Sequence, residues 1–248
     1  MIRIKRTEKP KKLTEEHQKE LTEKFKKTGE DVWNKKYLKD ALLEMSHYKC
    51  CYCETKINTE SKYLEVEHFH PKKIYKDEVI LWENLLPSCK RCNGKKGEHD
   101  TKKEPILNPT IQIPSEHIFL KDFFFFGKDV LGENTIINLS LNDVDRIVTE
   151  RFNVGKVLII QLSDILILVK DYKLEQTNRN KNKIVERLEN LMLQAIPKAE
   201  YSATCATVIL NNIFYLQIRS EMKKLSLWSE EFENLEKEME YCRLDTSE

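Results

Sequence analysis

Apolar residues recur at helical spacing in the first fifth of the chain. From Asp31 onward they appear every three or four positions, at Trp33, Tyr37, Leu38, Ala41, Leu42 and Met45. This spacing predicts one face of a helix, and Thr28 is placed to cap it. The segment before it, up to about Gly29, has sparser apolar residues and suits a partly exposed helix.

The same periodicity dominates the last hundred residues. It predicts a long buried helix over about 144–169 with a bend at 153–155, a second ending before Pro197, and two more over about 201–219 and 228–243. A strand is expected at Thr135–Leu139, after the apolar Phe123–Phe126. The longest apolar run, Val157–Val169, is shorter than the roughly 20 residues of a membrane span. We therefore expect a helical C-terminal region and no membrane partner.

Residues 50–104 differ from both flanks, because they hold five of the seven cysteines and three of the six histidines. Two C-x2-C elements are formed by Cys50 with Cys53 and by Cys89 with Cys92. Two such turns supply the four thiolates of a tetrahedral structural zinc site. Cys50 rather than Cys51 is the first ligand, because only Cys50 has two residues before Cys53. The alternative is that these cysteines are merely buried.

Charge is distributed unevenly along the 248 residues. The formal net charge is +1, but residues 1–104 carry 25 basic and 19 acidic groups, whereas the remainder carries 17 and 22. A basic front half favours a local anionic partner, although a solvated surface rich in Lys and Glu gives the same count. The polar opening contains no export signal, so we expect reduced cysteines and a cytoplasmic location.

Three phrases near the cysteines carry further chemistry: Glu67-His68-Phe69-His70-Pro71-Lys72, Trp82-Glu83-Asn84-Leu85 and Cys92-Asn93-Gly94-Lys95-Lys96. Together with the cysteine pairs, their order resembles the HNH endonuclease family over residues 50–97. That family folds as a ββα-metal finger with an acid–His pair on a hairpin and a His or Asn that opens the helix. Asn93 takes the last position here, so the match is to the His-Asn-Asn variant.

The chemistry of these side chains agrees with the roles that the resemblance implies. His68 supplies a neutral imidazole near pH 7 as general base. Glu67 and Asn93 offer oxygen ligands to a catalytic Mg2+ or Mn2+. Asn84 is expected to hydrogen-bond loop backbone and thereby fix the His68 ring. Strand alternation places Glu67 and His68 on opposite faces, so we expect a twist or bulge there; His99 is an alternative to Asn93.

Basic side chains surround the motif and fit a phosphate backbone. His70, Lys72, Lys95 and Lys96 are the candidate nucleic-acid contacts, and a solvated basic face without a ligand is the alternative. No segment has the pattern of a helix that recognises bases in a DNA groove. The expected partner is nucleic acid, DNA in preference to RNA.

Shorter and less specific motifs elsewhere in the chain indicate a subgroup of this family. The basic opening Ile2–Arg6, Leu107-Asn108-Pro109 and Thr135–Leu139 with Arg146 are similar to the HNH nuclease subunit of Septu and retron-associated anti-phage systems. That resemblance implies an SMC-like ATPase subunit as partner within a bacterial defence complex.

The expected fold class is α+β and mainly helical, with a zinc-stapled ββα-metal finger followed by a helical C-terminal domain. We expect an N-terminal helical arm at 1–49, the nuclease finger at 50–104, and a connector with a helical, partner-docking domain at 105–248. The favoured function is a metal-dependent endonuclease that hydrolyses phosphodiester bonds. The alternative is a zinc-finger module that binds nucleic acid without cleaving it.

Overall fold

The computed structural model describes residues 1–57 and 63–247. The α-helices and strands of these residues, in chain order, are α1 Glu15–Thr28, α2 Lys36–Met45, β1 Leu64–His68, β2 Leu85–Cys89, α3 Lys90–Lys96, α4 Pro114–His117, β3 Ile118–Lys121, β4 Phe124–Gly127, α5 Val130–Asn138, α6 Thr149–Leu174, α7 Asn178–Met192, α8 Ser202–Leu210, α9 Ile213–Lys224 and α10 Glu230–Cys242. The strands form two small sheets, β1 with β2 and β3 with β4. The mainly helical α+β class is therefore confirmed.

The chain divides into two compact units. The first comprises Met1, Arg3–His117 and Phe126–Asn142, and the second comprises Ile2, Ile118–Phe125 and Asp143–Glu248. In the first unit, β1 and β2 pair antiparallel and α3 follows β2 directly. Helix α3 contacts both strands, which gives the ββα arrangement, and α2 also contacts both strands.

The second unit is built around α6, which contacts α7, α8 and α9. Leu158, Leu162 and Val169 of α6 are fully buried, as an apolar stripe at helical spacing requires. The helical run Val144–Leu174 is long and apolar enough to qualify as a membrane span by length and composition, a test that core helices of soluble proteins also pass. Packing against α7, α8 and α9 covers one side of α6, and 33% of its most apolar window is buried.

The helix expected from Asp31 begins later than its apolar spacing predicts. Thr28 is the last residue of α1, and Gly29 ends that helix in the left-handed conformation with φ 71°. Helix α2 starts at Lys36 without a side-chain cap. Thr28 therefore does not cap α2, and Trp33 lies in the turn before it.

The strand expected at Thr135–Leu139 is wrong, because these residues lie in and after α5. Asp129 caps α5 by accepting a hydrogen bond from the Gly132 amide. The buried Thr135 hydroxyl donates to the Leu131 carbonyl at 2.7 Å and accepts from the Leu107 amide at 2.7 Å. The cap and this tertiary contact outweigh the strand propensity of the β-branched residues.

Two further helix boundaries differ from the sequence prediction. Helix α6 begins at Thr149 rather than near residue 144, after a π-helical turn at Val144–Val148, and it ends at Leu174. Within it, Gly155 leaves room for the Phe123 ring, because an added Cβ would lie 2.3 Å from the ring Cε1 atom. The helix predicted over 201–219 is two helices, separated at Asn211 and Asn212. Asn212 caps α9 by accepting from the Phe214 amide at 2.8 Å.

Candidate functional site

Four cysteine sulfurs converge where the two C-x2-C turns meet. The Sγ atoms of Cys50, Cys53, Cys89 and Cys92 all lie within 4.8 Å of one another, and those of Cys53 and Cys89 are 3.8 Å apart. A tetrahedral zinc with Zn–S bonds of about 2.3 Å requires sulfurs about 3.8 Å apart. The donor set and its spacing therefore fit a structural zinc ion, whereas Cys51 is buried outside this cluster.

Local backbone geometry presents the thiols. Glu54 adopts φ 63° directly after Cys53, and its amide donates to the Cys50 carbonyl at 3.0 Å, which closes the first turn. Cys89 caps α3, with its sulfur accepting from the Cys92 amide at 3.4 Å. Each pair of thiols is thus held by a tight turn.

The acid and the base of the motif leave β1 on opposite faces. The β1–β2 register runs without interruption from Leu64 opposite Cys89 to His68 opposite Leu85. The expected bulge between Glu67 and His68 is therefore not present. Regular alternation directs Glu67 to the side of α3 and His68 to the other side.

The His68 ring is buried and held at one nitrogen. Its Nε2 lies 2.9 Å from the carbonyl oxygen of Val79, and only 4% of the residue is exposed. A carbonyl accepts hydrogen bonds only, so Nε2 carries the proton and Nδ1 keeps its lone pair. Burial, reinforced by the positive charge of Lys72, lowers the pKa of His68 to about 3. The ring is consequently neutral at pH 7.

Glu67 is paired with a buried lysine. Its Oε1 atom lies 2.7 Å from Nζ of Lys96, and both side chains are 1% exposed. The same ammonium donates to the His68 carbonyl at 2.8 Å. Burial raises the pKa of Glu67 to about 7, against the opposing attraction of Lys96. Lys96 was expected among the basic side chains that contact nucleic acid. Because it is buried against Glu67, it differs from the exposed lysines of that group.

A divalent cation requires oxygen donors that are not already saturated. The Glu67 carboxylate shares Oε1 with the Lys96 ammonium at 2.7 Å, so a cation bound there would displace or share that partner. Asn93 projects from α3 toward the same face of β1, where its Nδ2 lies 3.5 Å from Oε2 of Glu65. Two carboxylates and an amide on facing elements are hard donors of the kind that Mg2+ or Mn2+ prefers. The residues present therefore fit such an ion.

Asn84 hydrogen-bonds the loop that leads to Val79, whose carbonyl accepts from His68. Its Oδ1 accepts from the His70 amide at 2.7 Å, while Nδ2 donates to the carbonyls of His70 and Glu78, each at 3.1 Å. The Val79 carbonyl that holds His68 follows Glu78 directly. Asn84 therefore fixes both ends of the loop segment that orients the imidazole.

Arg6 secures the turn that contains Asn84. Its guanidinium donates to the carbonyls of Trp82, Glu83 and Leu85 and to the Thr110 hydroxyl. In the sequence, Arg6 belongs to a basic opening between Lys5 and Thr7, and no local pattern there indicates this contact. Trp33 likewise lies beside His68, with ring centroids 4.6 Å apart, and no sequence pattern indicates that contact.

The remaining candidates have diverse surroundings. His70 Nδ1 donates to the Thr101 hydroxyl at 2.7 Å, since that hydroxyl itself donates to the Phe69 carbonyl. Lys95 is exposed on α3, and Lys72 is half-buried. His99 hydrogen-bonds the Glu104 carbonyl at 2.7 Å, so the structure gives it no contact with Glu67 or Asn93.

Arg91 is another basic residue with a packing contact. Its guanidinium donates to the carbonyls of Leu139 and Ser140, just after α5. Cations at the C-terminus of a helix interact favourably with its dipole. Arg91 therefore joins the cysteine-rich finger to α5 within the first unit.

Comparisons with known proteins agree with this geometry. The HNH endonuclease family matches residues 50–99. The chain is 46% identical over 237 residues to the Septu protein PtuB of Bacillus thuringiensis, which covers 95% of this chain and 92% of that protein. It is also 35% identical over 122 residues to the Septu protein PtuB of Bacillus mycoides strain KBAB4, which covers 37% of this chain and 41% of that one. No solved structure matches the chain significantly. With its sulfur cluster, its hairpin and its following helix within the matched segment, the chain belongs to the Septu PtuB family and contains an HNH endonuclease domain.

Proposed function

We propose that the chain is a metal-dependent endonuclease that hydrolyses phosphodiester bonds in nucleic acid, DNA in preference to RNA, within a cytoplasmic anti-phage defence complex. The observation that carries the proposal is the state of His68. The Val79 carbonyl fixes its tautomer, and no described protein group hydrogen-bonds Nδ1. A neutral imidazole with a fixed and available lone pair is what a general base requires.

Each residue then has a chemical task, with the His68 ring on one face of β1 and the Glu67 carboxylate on the other. His68 Nδ1 takes a proton from a water molecule whose oxygen attacks phosphorus, as the bond to the leaving sugar oxygen breaks. Asn84 keeps the loop, and with it the ring, in place. Glu67 and Asn93 would hold the divalent cation, which supplies positive charge against the charge that develops on the phosphate. His70, Lys72 and Lys95 are the proposed phosphate contacts, and Lys96 supports Glu67.

The decisive experiment replaces the base alone. We expect His68→Ala to abolish Mg2+- or Mn2+-dependent cleavage of DNA while zinc content and helical circular dichroism stay unchanged. His17→Ala is the matched control, because the His17 ring lies on α1 and pairs there with Glu20 at 3.1 Å. Cleavage by the His68→Ala protein at the wild-type rate would remove His68 as the base.

The assay must include the partner as well as the isolated chain, because a gated nuclease can be silent alone. Salt-dependent binding without cleavage by the wild type, with every divalent metal and with the partner present, would instead favour a non-catalytic zinc module. Cleavage or its absence in the wild-type protein thus distinguishes the nuclease from the non-catalytic module without any variant.

We further propose that the helical region 105–248 docks the SMC-like ATPase subunit. Support comes from α6, where Val157, Ile160 and Ile167 are each at least 50% exposed. Exposed apolar side chains repeated along one helix are typical of protein interaction surfaces. Ile160→Asp with Ile167→Asp should therefore abolish copurification of the ATPase while zinc content is retained; unchanged copurification would contradict this assignment.

A further inference from the structure

Trp33 lies next to the candidate base although it belongs to the N-terminal arm. It occupies the turn between α1 and α2, outside the residues that match the endonuclease family. Its ring meets the His68 ring edge to face, with centroids 4.6 Å apart and an interplanar angle of 83°. A second edge contact, to Phe25 of α1 at 5.7 Å, anchors the indole.

The same indole holds a lysine. Nζ of Lys72 lies 4.7 Å from the centroid of the Trp33 ring, within the range of a cation–π contact. In the part of the chain that the structure describes, no carboxylate lies within ion-pair distance of Lys72. The only partner recorded for this ammonium there is therefore an aromatic face.

Neighbouring lysines of the first unit are arranged differently. Carboxylates pair with Lys26, Lys73, Lys96 and Lys102, through Asp77, Glu98, Glu67 and Glu78 respectively. A carboxylate partner neutralises an ammonium. An indole attracts the cation through its quadrupole but carries no net charge, so it fixes the position of the ammonium and leaves the charge available.

We propose that Trp33 is a positioning residue of the nuclease site, which holds the Lys72 ammonium beside His68 to receive a phosphate oxygen of the substrate and limits rotation of the His68 ring. The inference rests on the proposed function, since it names how that site receives its substrate. It also gives the N-terminal arm a task, because the segment matched to the family would lack this indole.

The test is a double-variant cycle on binding, in the full-length zinc-loaded protein without added Mg2+ or Mn2+, so that no cleavage occurs and the His68 ring stays in place. The probe is a short fluorescein-labelled DNA duplex, titrated at several salt concentrations. Lys72→Gln should weaken binding and reduce the slope of log affinity against log salt by about 0.9, the value for one phosphate contact. Lys73→Gln is the matched control, because Lys73 already pairs with Glu98.

Trp33→Leu should weaken binding by about two- to fivefold, the equivalent of an exposed cation–π contact. Added to Lys72→Gln, the same change should have no further effect, because the ammonium it positions is gone. Trp33→Phe should restore part of the loss. Equal effects of Trp33→Leu with and without Lys72 would overturn the proposal, since they would indicate a purely structural role.

Zinc content and circular dichroism establish that each variant is folded. If Trp33→Leu fails to fold, Trp33→Phe carries the cycle, since a weaker aromatic face should still give a loss that disappears in the Lys72→Gln background. In the cleavage-competent protein, the same substitutions should raise KM more than they lower kcat. If the wild type cleaves DNA and the effects of the Trp33 and Lys72 substitutions simply add, only this inference is contradicted. If the wild type never cleaves, the proposed function is contradicted.

Discussion

The buried ion pair between Lys96 and Glu67 gives a quantitative prediction about stability. Replacing Lys96 by Met keeps most of the side-chain volume but removes the ammonium that lies 2.7 Å from Glu67 Oε1 and 2.8 Å from the His68 carbonyl. A carboxylate that is 1% exposed is then left without its counter-charge. Breaking a buried pair in this way costs about 3–5 kcal/mol of the free energy of unfolding.

Two comparisons show whether the cost arises from the pair. The double variant Glu67→Met with Lys96→Met removes both charges, and we expect most of the loss to be recovered, because apolar replacement of a whole buried pair is often neutral. Lys36→Met is the matched control, since Lys36 pairs with Asp40 at 2.7 Å but is 89% exposed. Exposed pairs at this helical spacing contribute about 0.3–0.5 kcal/mol.

The sign of the pH dependence follows from the carboxylate. Burial raises the pKa of Glu67 to about 7, above its unfolded value, so the folded state holds the extra proton. This contribution to stability is present below the unfolded pKa and is lost as pH rises through about 7. Without Lys96 the charged form is less favourable still, so the penalty of Lys96→Met should be larger at pH 8 than at pH 6.

The assay is guanidinium unfolding of zinc-loaded protein, followed by tryptophan fluorescence in a Trp228→Phe background. The chain has three tryptophans, and this background leaves emission to Trp33 and Trp82 of the first unit. The transition then reports on the unit that contains the pair. A Lys96→Met protein within about 1 kcal/mol of its parent at pH 8, or a double variant no more stable than the single one, would refute the reasoning.

The remaining predictions concern the zinc and the imidazole. Cys53→Ser should abolish binding of the one zinc ion expected per chain and unfold the finger, because structural zinc contributes on the order of 10 kcal/mol of folding free energy. Cys51→Ser should retain that ion in metal analysis. Loss of zinc in both variants would place Cys51 in the cluster. The pKa of His68, about 3, lies below its unfolded value, so its contribution to stability is present above about pH 6.5 and is lost as pH falls toward 3. Relative to His68→Gln, the wild type should therefore lose about 1.4 kcal/mol per pH unit in that window, and parallel curves for the two proteins would contradict the depressed pKa.

Local patterns determined the zinc cluster and most of the helices. A C-x2-C turn directs two thiols to one side through its own backbone, so Cys50, Cys53, Cys89 and Cys92 needed only to be brought together. Helix α7 likewise follows from the spacing of Ile184, Leu188 and Leu191, which are buried as the pattern predicts. In both cases the interactions that decide the structure lie within a few residues of one another.

The tertiary structure alone decided which partners the charged and aromatic side chains have. Sequence places Lys96 beside Lys95 in a basic run, yet one is buried against Glu67 and the other is exposed. Trp33 has helical spacing but lies in a turn against His68. Such outcomes depend on which surfaces meet between segments tens of residues apart, and the free energy of a buried charge or ring depends on those distant neighbours. The sequence by itself therefore determined which side chains are candidates for the chemistry, and only the folded chain determined which lysine is buried against a carboxylate and which lies over an indole.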